Sequence, residues 1–212
     1  MSQPLPHLLY EPAGGSAPYP LIVYLHGSGE RGDGSNLDAV KLYAVCTYLE
    51  QGNTLPAYVL APQCPLKVSW GQAISRLDRT IDDVIAAHDI DQRRITVTGF
   101  SMGGYGAWSY VTQNPNRFAA LLPVAGTTLQ HEIFIPEPID PCAIDDTPLW
   151  MIQSMGDPIV HTDRSDAVAA KLNECGVEYT YTRYKAEGHT EAARRAYADP
   201  AIYEWLLKQV KA

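Results

Sequence analysis

The fold is decided by residues 98–104, which read Thr98-Gly99-Phe100-Ser101-Met102-Gly103-Gly104. The apolar run Ile95-Thr96-Val97 precedes them, and a helix-like stretch over residues 105–113 follows. A serine between two glycines, at the junction of a strand and a helix, is typical of a nucleophile elbow, a tight turn that strains the serine backbone and exposes its hydroxyl. Gly99 and Gly103 suit such a turn because they lack the Cβ atoms that would clash across it. We therefore predict that the serine of this turn is a nucleophile.

The composition and the charge exclude several classes of protein. Hydrophobic residues make up 46% of the 212 residues and charged residues 19%, which excludes a disordered chain and shows no membrane signature. The net charge is −8 and no run of Lys and Arg is longer than a pair, so we expect no nucleic-acid partner. The same composition leads us to expect no insertion into a membrane. Since α/β folds of this length commonly stay undivided, we expect one domain over residues 1–212.

The cysteines and the first residues bear on the cellular setting. Residues 1–4 hold neither a basic residue nor an apolar segment. No CxxC spacing relates the four cysteines, which are Cys46, Cys64, Cys142 and Cys175. We therefore expect reduced cysteines and a cytoplasmic protein. The spacings of His, Cys and Asp match no common metal site, so we expect no metal and no other cofactor.

Strand-like and helix-like segments alternate along the chain. Leu21-Ile22-Val23-Tyr24-Leu25 is a continuous β-rich run, typical of a strand that is buried on both faces of a parallel sheet. Helical spacing of apolar residues follows over 38–51 and again over 72–88, with a strand predicted at 58–61 between them. Beyond the elbow, the pattern predicts strands at 118–124, 149–152 and 177–184 and helices at 165–175, 191–198 and 200–210. The order predicts a doubly wound α/β sandwich, with a mostly parallel central sheet and helices on both faces.

A glycine-rich loop, His26-Gly27-Ser28-Gly29-Glu30-Arg31-Gly32-Asp33-Gly34, follows the first buried strand. Its glycines at positions 27, 29 and 32 match the G-x-G-x-x-G fingerprint, which makes a nucleotide-binding oxidoreductase an alternative. A phosphate loop opens directly into a helix, whereas this loop continues with acidic groups where a pyrophosphate would lie. We favour an oxyanion hole, to which Ser28 and Met102 each donate a backbone N–H, because glycines let backbone donors approach a substrate closely.

The serine of the elbow needs two partners. A base must take the hydroxyl proton, and an acid must fix the tautomer of that base. Folds with such an elbow supply them in the order Ser, Asp or Glu, His, on loops at the C-terminal ends of strands. His189 follows the last predicted strand, so we prefer it as the base to His131 and His161. Asp157 lies just past the C-terminal end of the strand at 149–152, which makes it the expected acid.

Four other aspartates are less well placed for the role of the acid. Two of them enter the strand at 149–152 from its far end, and two suit the cap of the next helix; they are Asp145, Asp146, Asp163 and Asp166. Three further residues are predicted to line the substrate pocket, and they are Trp70, Phe134 and His161. For Trp70, in the predicted loop before the helix at 72–88, packing against the start of that helix is an equal alternative. Phe134 belongs to the irregular residues 127–146, a segment too short for a helical cap domain.

Together these motifs resemble the α/β-hydrolase superfamily, and more closely its small carboxylesterase/phospholipase-like esterases. The resemblance is carried by residues 25–32, residues 98–108, Asp157-Pro158-Ile159-Val160, and Gly188-His189 with residues 197–207. It implies an α/β-hydrolase fold without a cap domain and a serine esterase that acts on a small-molecule ester. The roles that it implies are Ser101 as nucleophile, His189 as general base, Asp157 as orienter of that base, and Ser28 and Met102 as oxyanion-hole donors.

The chain departs from the family's pattern in two places. Gln153-Ser154 stands where the acid loop usually reads His-Gly, and His161 stands where a proline is usual. We expect both changes to leave the triad intact and to alter the wall of the pocket. Short loops favour small or short-acyl esters. Because a triad does not distinguish leaving groups, a thioesterase or a peptidase of the same fold is the alternative.

Overall fold

The structure, a computed structural model, describes residues 3–129, 138–185 and 188–211. Its strands are β1 (His7–Tyr10), β2 (Tyr19–Leu25), β3 (Tyr58–Pro62), β4 (Ile90–Phe100), β5 (Ala120–Val124), β6 (Leu149–Ser154) and β7 (Tyr179–Tyr184). Its helices are α1 (Val45–Glu50), α2 (Trp70–Ala87), α3 (Met102–Gln113), α4 (Thr162–Glu174), α5 (His189–Ala198) and α6 (Pro200–Lys208). The strands form one sheet in the order β1-β3-β2-β4-β5-β6-β7, in which only β1 runs antiparallel to its neighbour.

Helices cover both faces of this sheet. Successive side chains of a strand point to opposite faces, and the central strand β2 shows the two sets clearly. Leu21, Val23 and Leu25 pack in one core with α2, α3 and α4. Ile22 and Tyr24 pack in a second core with α1, α5 and α6. The predicted mostly parallel sheet with helices on both faces is therefore confirmed.

The helix predicted over 38–51 is interrupted. Leu37–Lys41 forms a short 3-10 helix, and α1 begins only at Val45. Between them, Tyr43 has a φ of 69°, in the left-handed region that an α-helix of L-residues cannot contain. Val40 and Ala44 are nevertheless buried, as the apolar spacing required. The helical spacing thus predicted that Val40 and Ala44 are buried. It did not predict the interruption of the helix, because nothing in the sequence marks a tyrosine for the left-handed region.

Helix α2 begins earlier than predicted. Gln72 Oε1 accepts a hydrogen bond from the backbone N–H of Ser69 at 2.9 Å, as part of a capping box that starts the helix at Trp70. Trp70 therefore lies in the first turn of a helix and not in the preceding loop. Among the described helices, none is long and apolar enough to cross a membrane.

The parallel strands carry the loops of interest to one edge of the sheet. Ser28 follows the C-terminal end of β2, Ser101 follows β4 and Asp157 follows β6. His189 begins α5, which follows β7. Within the part of the chain that the structure describes, the connection from β5 to β6 holds one short 3-10 helix, Pro141–Ile144, and no cap domain.

Two of the four cysteines are not reduced. The sulfurs of Cys142 and Cys175 form a disulfide, which joins the 3-10 helix before β6 to the C-terminal end of α4. The expectation of reduced thiols is therefore wrong for this pair and holds for Cys46 and Cys64, which are free and buried. Disulfides persist mainly in oxidising compartments, so the cysteines no longer support a cytoplasmic setting, which stays a prediction.

We predict that a thiol reagent titrates two cysteines in the denatured, unreduced protein and all four after reduction. Replacement of Cys142 by serine should lower the free energy of unfolding by about 2 to 4 kcal/mol, because the open chain regains loop entropy in the unfolded state. A count of four thiols without reductant would contradict the disulfide.

Candidate active site

Ser101 occupies the turn between β4 and α3 in a strained conformation. Its φ is 54° and its ψ −120°, a backbone region that a residue with a side chain rarely adopts. The turn is possible because the neighbouring glycines let the chain approach closely. A Cβ on Gly103 would overlap the carbonyl of Leu25, and a Cβ on Gly99 would overlap the carbonyl of Gly103. The predicted need for both glycines is confirmed.

A continuous chain of hydrogen bonds joins Ser101, His189 and Asp157. Nε2 of His189 lies 2.8 Å from Oγ of Ser101, and Nδ1 of His189 lies 2.7 Å from Oδ2 of Asp157. The carboxylate can only accept, so Nδ1 carries the proton and Nε2 is left to accept the serine hydroxyl. Ser101 is 7% exposed, and the ring of the buried Phe100 lies 4.7 Å from the imidazole. The structure thus brings together the three residues that the sequence predicts.

Asp157 is held as a carboxylate. Its burial opposes ionisation, but hydrogen bonds from His189 and from the backbone N–H groups of Ile159 and Val160 outweigh this effect and lower the pKa of the carboxyl. Oδ1 accepts those two N–H groups at 2.8 and 2.9 Å, which leaves Oδ2 for the imidazole. An ionised Asp157 can orient His189 and stabilise it when it takes a proton.

The two predicted oxyanion donors each begin a helix that follows a strand of the sheet. Met102 is the first residue of α3, where backbone N–H groups have no acceptor within the helix. Ser28 begins a three-residue 3-10 helix directly after Gly27. Since the loop forms only this short helix, it lacks the long helix that a dinucleotide fingerprint requires. The structure of this loop therefore does not support the alternative of a nucleotide-binding oxidoreductase.

A buried network holds the loop that carries Ser28. Nε2 of His26 accepts the backbone N–H of Cys64 at 2.9 Å, so Nδ1 carries the proton and donates to the carbonyl of Gly27 at 2.6 Å. Nε1 of Trp70 donates to the carbonyl of His26 at 2.9 Å, and the two rings meet edge to face. Glu30, which is also buried, places Oε2 3.7 Å from Nδ1 of His26.

Trp70 is therefore a support of this loop. Its side chain is 1% exposed and packs so closely on α3 that a Cβ on Gly106 would overlap it. The pocket-wall prediction for Trp70 is wrong, and the alternative, packing at the helix start, is the observed arrangement. Sequence reasoning missed the role of His26. A polar ring directly after a fully apolar strand was the available signal, because a buried ring must find hydrogen-bond partners.

No contact described for His161 joins it to Ser101, His189 or Asp157. His161 is exposed at the residue before α4, four positions after Asp157, and its place in a pocket wall stays a prediction. Phe134 lies outside the described residues.

The sequence is similar to those of known hydrolases. The family model for phospholipase/carboxylesterase matches residues 68–197. A protein named probable carboxylesterase, from Oryza sativa subsp. japonica, is 25% identical over 195 residues, which cover 81% of this chain and 82% of that protein. Poly(3-hydroxyalkanoate) depolymerase C from Paucimonas lemoignei is 30% identical over 131 residues. That alignment covers 54% of this chain, which spans only 30% of the length of the depolymerase.

Solved structures share the same architecture. A thermostable esterase superimposes with a TM-score of 0.73 at 28% identity, covering 96% of this chain and 59% of that one. An acylaminoacyl peptidase from Pyrococcus horikoshii gives a TM-score of 0.72 at 18% identity, covering 97% of this chain and 39% of that one. The second likeness shows the fold alone. The predicted α/β-hydrolase fold is therefore confirmed.

We predict that Trp70→Phe lowers the free energy of unfolding by about 2 to 3 kcal/mol, because the buried carbonyl of His26 loses its donor. Trp150→Phe is the matched control. Its indole N–H also makes a hydrogen bond, to Thr182 at 3.0 Å, but Trp150 is only half-buried and water can replace the bond. Urea denaturation should give a loss of about 1 kcal/mol or less for this control. Equal losses for the two variants would contradict the support role of Trp70.

Proposed function

The chain belongs to the phospholipase/carboxylesterase family, and we propose that it is a serine hydrolase that cleaves carboxylic esters through an acyl-enzyme on Ser101. One observation carries the proposal. The hydroxyl of Ser101, the imidazole of His189 and the carboxylate of Asp157 form an unbroken hydrogen-bonded chain with bonds of 2.8 and 2.7 Å. This arrangement is what a serine needs to become a nucleophile at neutral pH.

In the acylation half of the reaction, Oγ of Ser101 attacks the carbonyl carbon of the ester while Nε2 of His189 takes the hydroxyl proton. The carbonyl oxygen becomes an oxyanion, and the backbone N–H groups of Ser28 and Met102 donate to it. Loss of one such donor costs on the order of 3 kcal/mol of barrier in related sites. His189 then gives its proton to the departing alkoxide, so that the alcohol leaves and the acyl group stays on Ser101.

Deacylation repeats the chemistry with water. His189 takes a proton from the water as its oxygen attacks the acyl carbon, and the same two N–H groups hold the second oxyanion. His189 returns the proton to Oγ of Ser101, and the carboxylic acid is released. Asp157 stays ionised throughout and stabilises the protonated imidazole in both halves, in keeping with the hydrogen bonds that lower its pKa.

For the substrate we propose small or short-acyl esters. In the described residues, no cap domain encloses this edge of the sheet, which favours substrates that need little enclosing surface. A thioesterase or a peptidase is the second candidate, since the same triad serves each of these leaving groups.

The first test replaces the nucleophile. We expect Ser101→Ala to lower kcat for an aryl ester by at least about a thousandfold and to abolish covalent labelling by a fluorophosphonate, because the attacking oxygen is gone. Ser35→Ala is the control, since Ser35 is an exposed serine whose hydroxyl bonds only to Asp33 among the contacts described. Labelling that persists in Ser101→Ala would overturn the assignment.

The second test defines the leaving group and the acyl chain. Aryl esters from acetate to dodecanoate, acyl thioesters and peptides should be compared by kcat/KM. We expect the short aryl esters to be the best substrates, with the longest chains at least about tenfold poorer, because additional methylenes find no enclosing pocket. A maximum for thioesters or peptides would select the second candidate instead.

A further inference from the structure

Gln153 lies at the end of β6, immediately before the loop that carries Asp157. This is one of the positions at which the chain departs from the resembling family's pattern, since Gln153 stands where a histidine is usual. Its side chain is 1% exposed, so its amide must find its hydrogen-bond partners within the protein.

The amide of Gln153 connects the end of β6 with the acid loop, residues 155–161. Its Nε2 donates to the carbonyl of Val160 at 2.6 Å and to the carbonyl of Ser154 at 3.2 Å. Its Oε1 accepts from the hydroxyl of Ser165 on α4 at 3.2 Å. One buried side chain thus joins the last residue of β6, Val160 in the acid loop and the following helix.

The same amide nitrogen also faces the carboxylate. Nε2 of Gln153 lies 3.4 Å from Oδ2 of Asp157, the oxygen that bonds to His189. Of the contacts described for Oδ2, these two are the donors, whereas Oδ1 takes the backbone N–H groups of Ile159 and Val160. The amide is uncharged, and the positive end of its dipole, the NH2 group, faces the oxygen of Asp157 that orients His189.

We propose that Gln153 is a positioning residue of the catalytic machinery, which fixes Oδ2 of Asp157 against Nδ1 of His189; the inference rests on the proposed function. A neutral amide provides both of its N–H donors at every pH, so it holds the loop and the carboxylate without adding a charge. Gln153 acts through Asp157 and touches no substrate.

The test compares three substitutions that alter the donors at one buried position. Gln153→Met keeps the approximate size and removes both donors. Gln153→Glu keeps the shape and directs a second carboxylate at Oδ2 of Asp157. Gln153→His restores the residue that is usual in the resembling family and retains a ring N–H. Ser165→Ala is the matched control, because it removes the partner of Oε1 and leaves the contacts of Nε2 with Asp157 and Val160 in place.

We expect kcat for an aryl ester to fall about 10- to 100-fold in Gln153→Met and in Gln153→Glu, with KM within about twofold of the wild-type value, because the base is misoriented and substrate binding is untouched. Gln153→His and Ser165→Ala should stay within about fivefold of the wild-type kcat. Thermal unfolding of each variant separates this effect from loss of fold. A folded Gln153→Met or Gln153→Glu with wild-type kcat would overturn the proposal.

A second measurement does not depend on activity. The proton between Nδ1 of His189 and Asp157 should give a low-field proton NMR resonance in the resting protein, which we expect to shift in Gln153→Met and Gln153→Glu and not in Ser165→Ala. If the wild-type protein hydrolysed no ester and took no fluorophosphonate, the proposed function would fail, and this resonance would still decide the placement of Asp157 by Gln153. An unchanged resonance in folded Gln153→Met would overturn that placement.

Discussion

The close approach of α3 to the sheet is the constraint on which the rest of the molecule depends. Helix α3 starts directly over the ends of β2 and β5, at a distance that leaves no room for a Cβ on Gly103 against Leu25 or on Gly104 against Gly126. The strained backbone of Ser101 follows from this approach, and Ala125 at the tip of β5 also takes a positive φ of 48°. Strain at these residues persists because the buried surroundings over-determine the backbone.

Once the turn is fixed, the parallel sheet supplies the remaining groups. Strands β2, β4 and β6 end at the same edge, so loops that are far apart in sequence meet there. Two of the polar groups buried at this edge are held by several partners each. Asp157 accepts from two backbone N–H groups and an imidazole, and His26 bonds through both of its nitrogens. In a buried region of low dielectric constant, an unpaired polar group is costly. This accounts for the many hydrogen bonds that Asp157 and His26 make beneath the loops.

The sequence predicted the elbow and its partners because their signals are local or topological. Glycine chemistry identified the turn of Ser101, and the position of loops after strands selected Asp157 and His189. Features that depend on folded distances were not predictable. The pairing of Cys142 with Cys175 requires Cα atoms 6.2 Å apart across 33 residues, which no spacing rule gives. The left-handed Tyr43 and the burial of Trp70 arise from tertiary packing, which overrides local propensity.

The disulfide also defines how the protein would carry tension. Cys142 and Cys175 enclose β6, the acid loop and α4 in a covalent ring, whereas Ser101 and His189 lie outside it. A force applied to the two chain ends passes through the sulfur–sulfur bond and bypasses the enclosed segment. Roughly 110 Å of contour length, from a separation of 33 residues, is thereby removed from any stretched state. The segment that holds Asp157 therefore bears none of the force applied to the chain ends. The segments that hold Ser101 and His189 bear all of it.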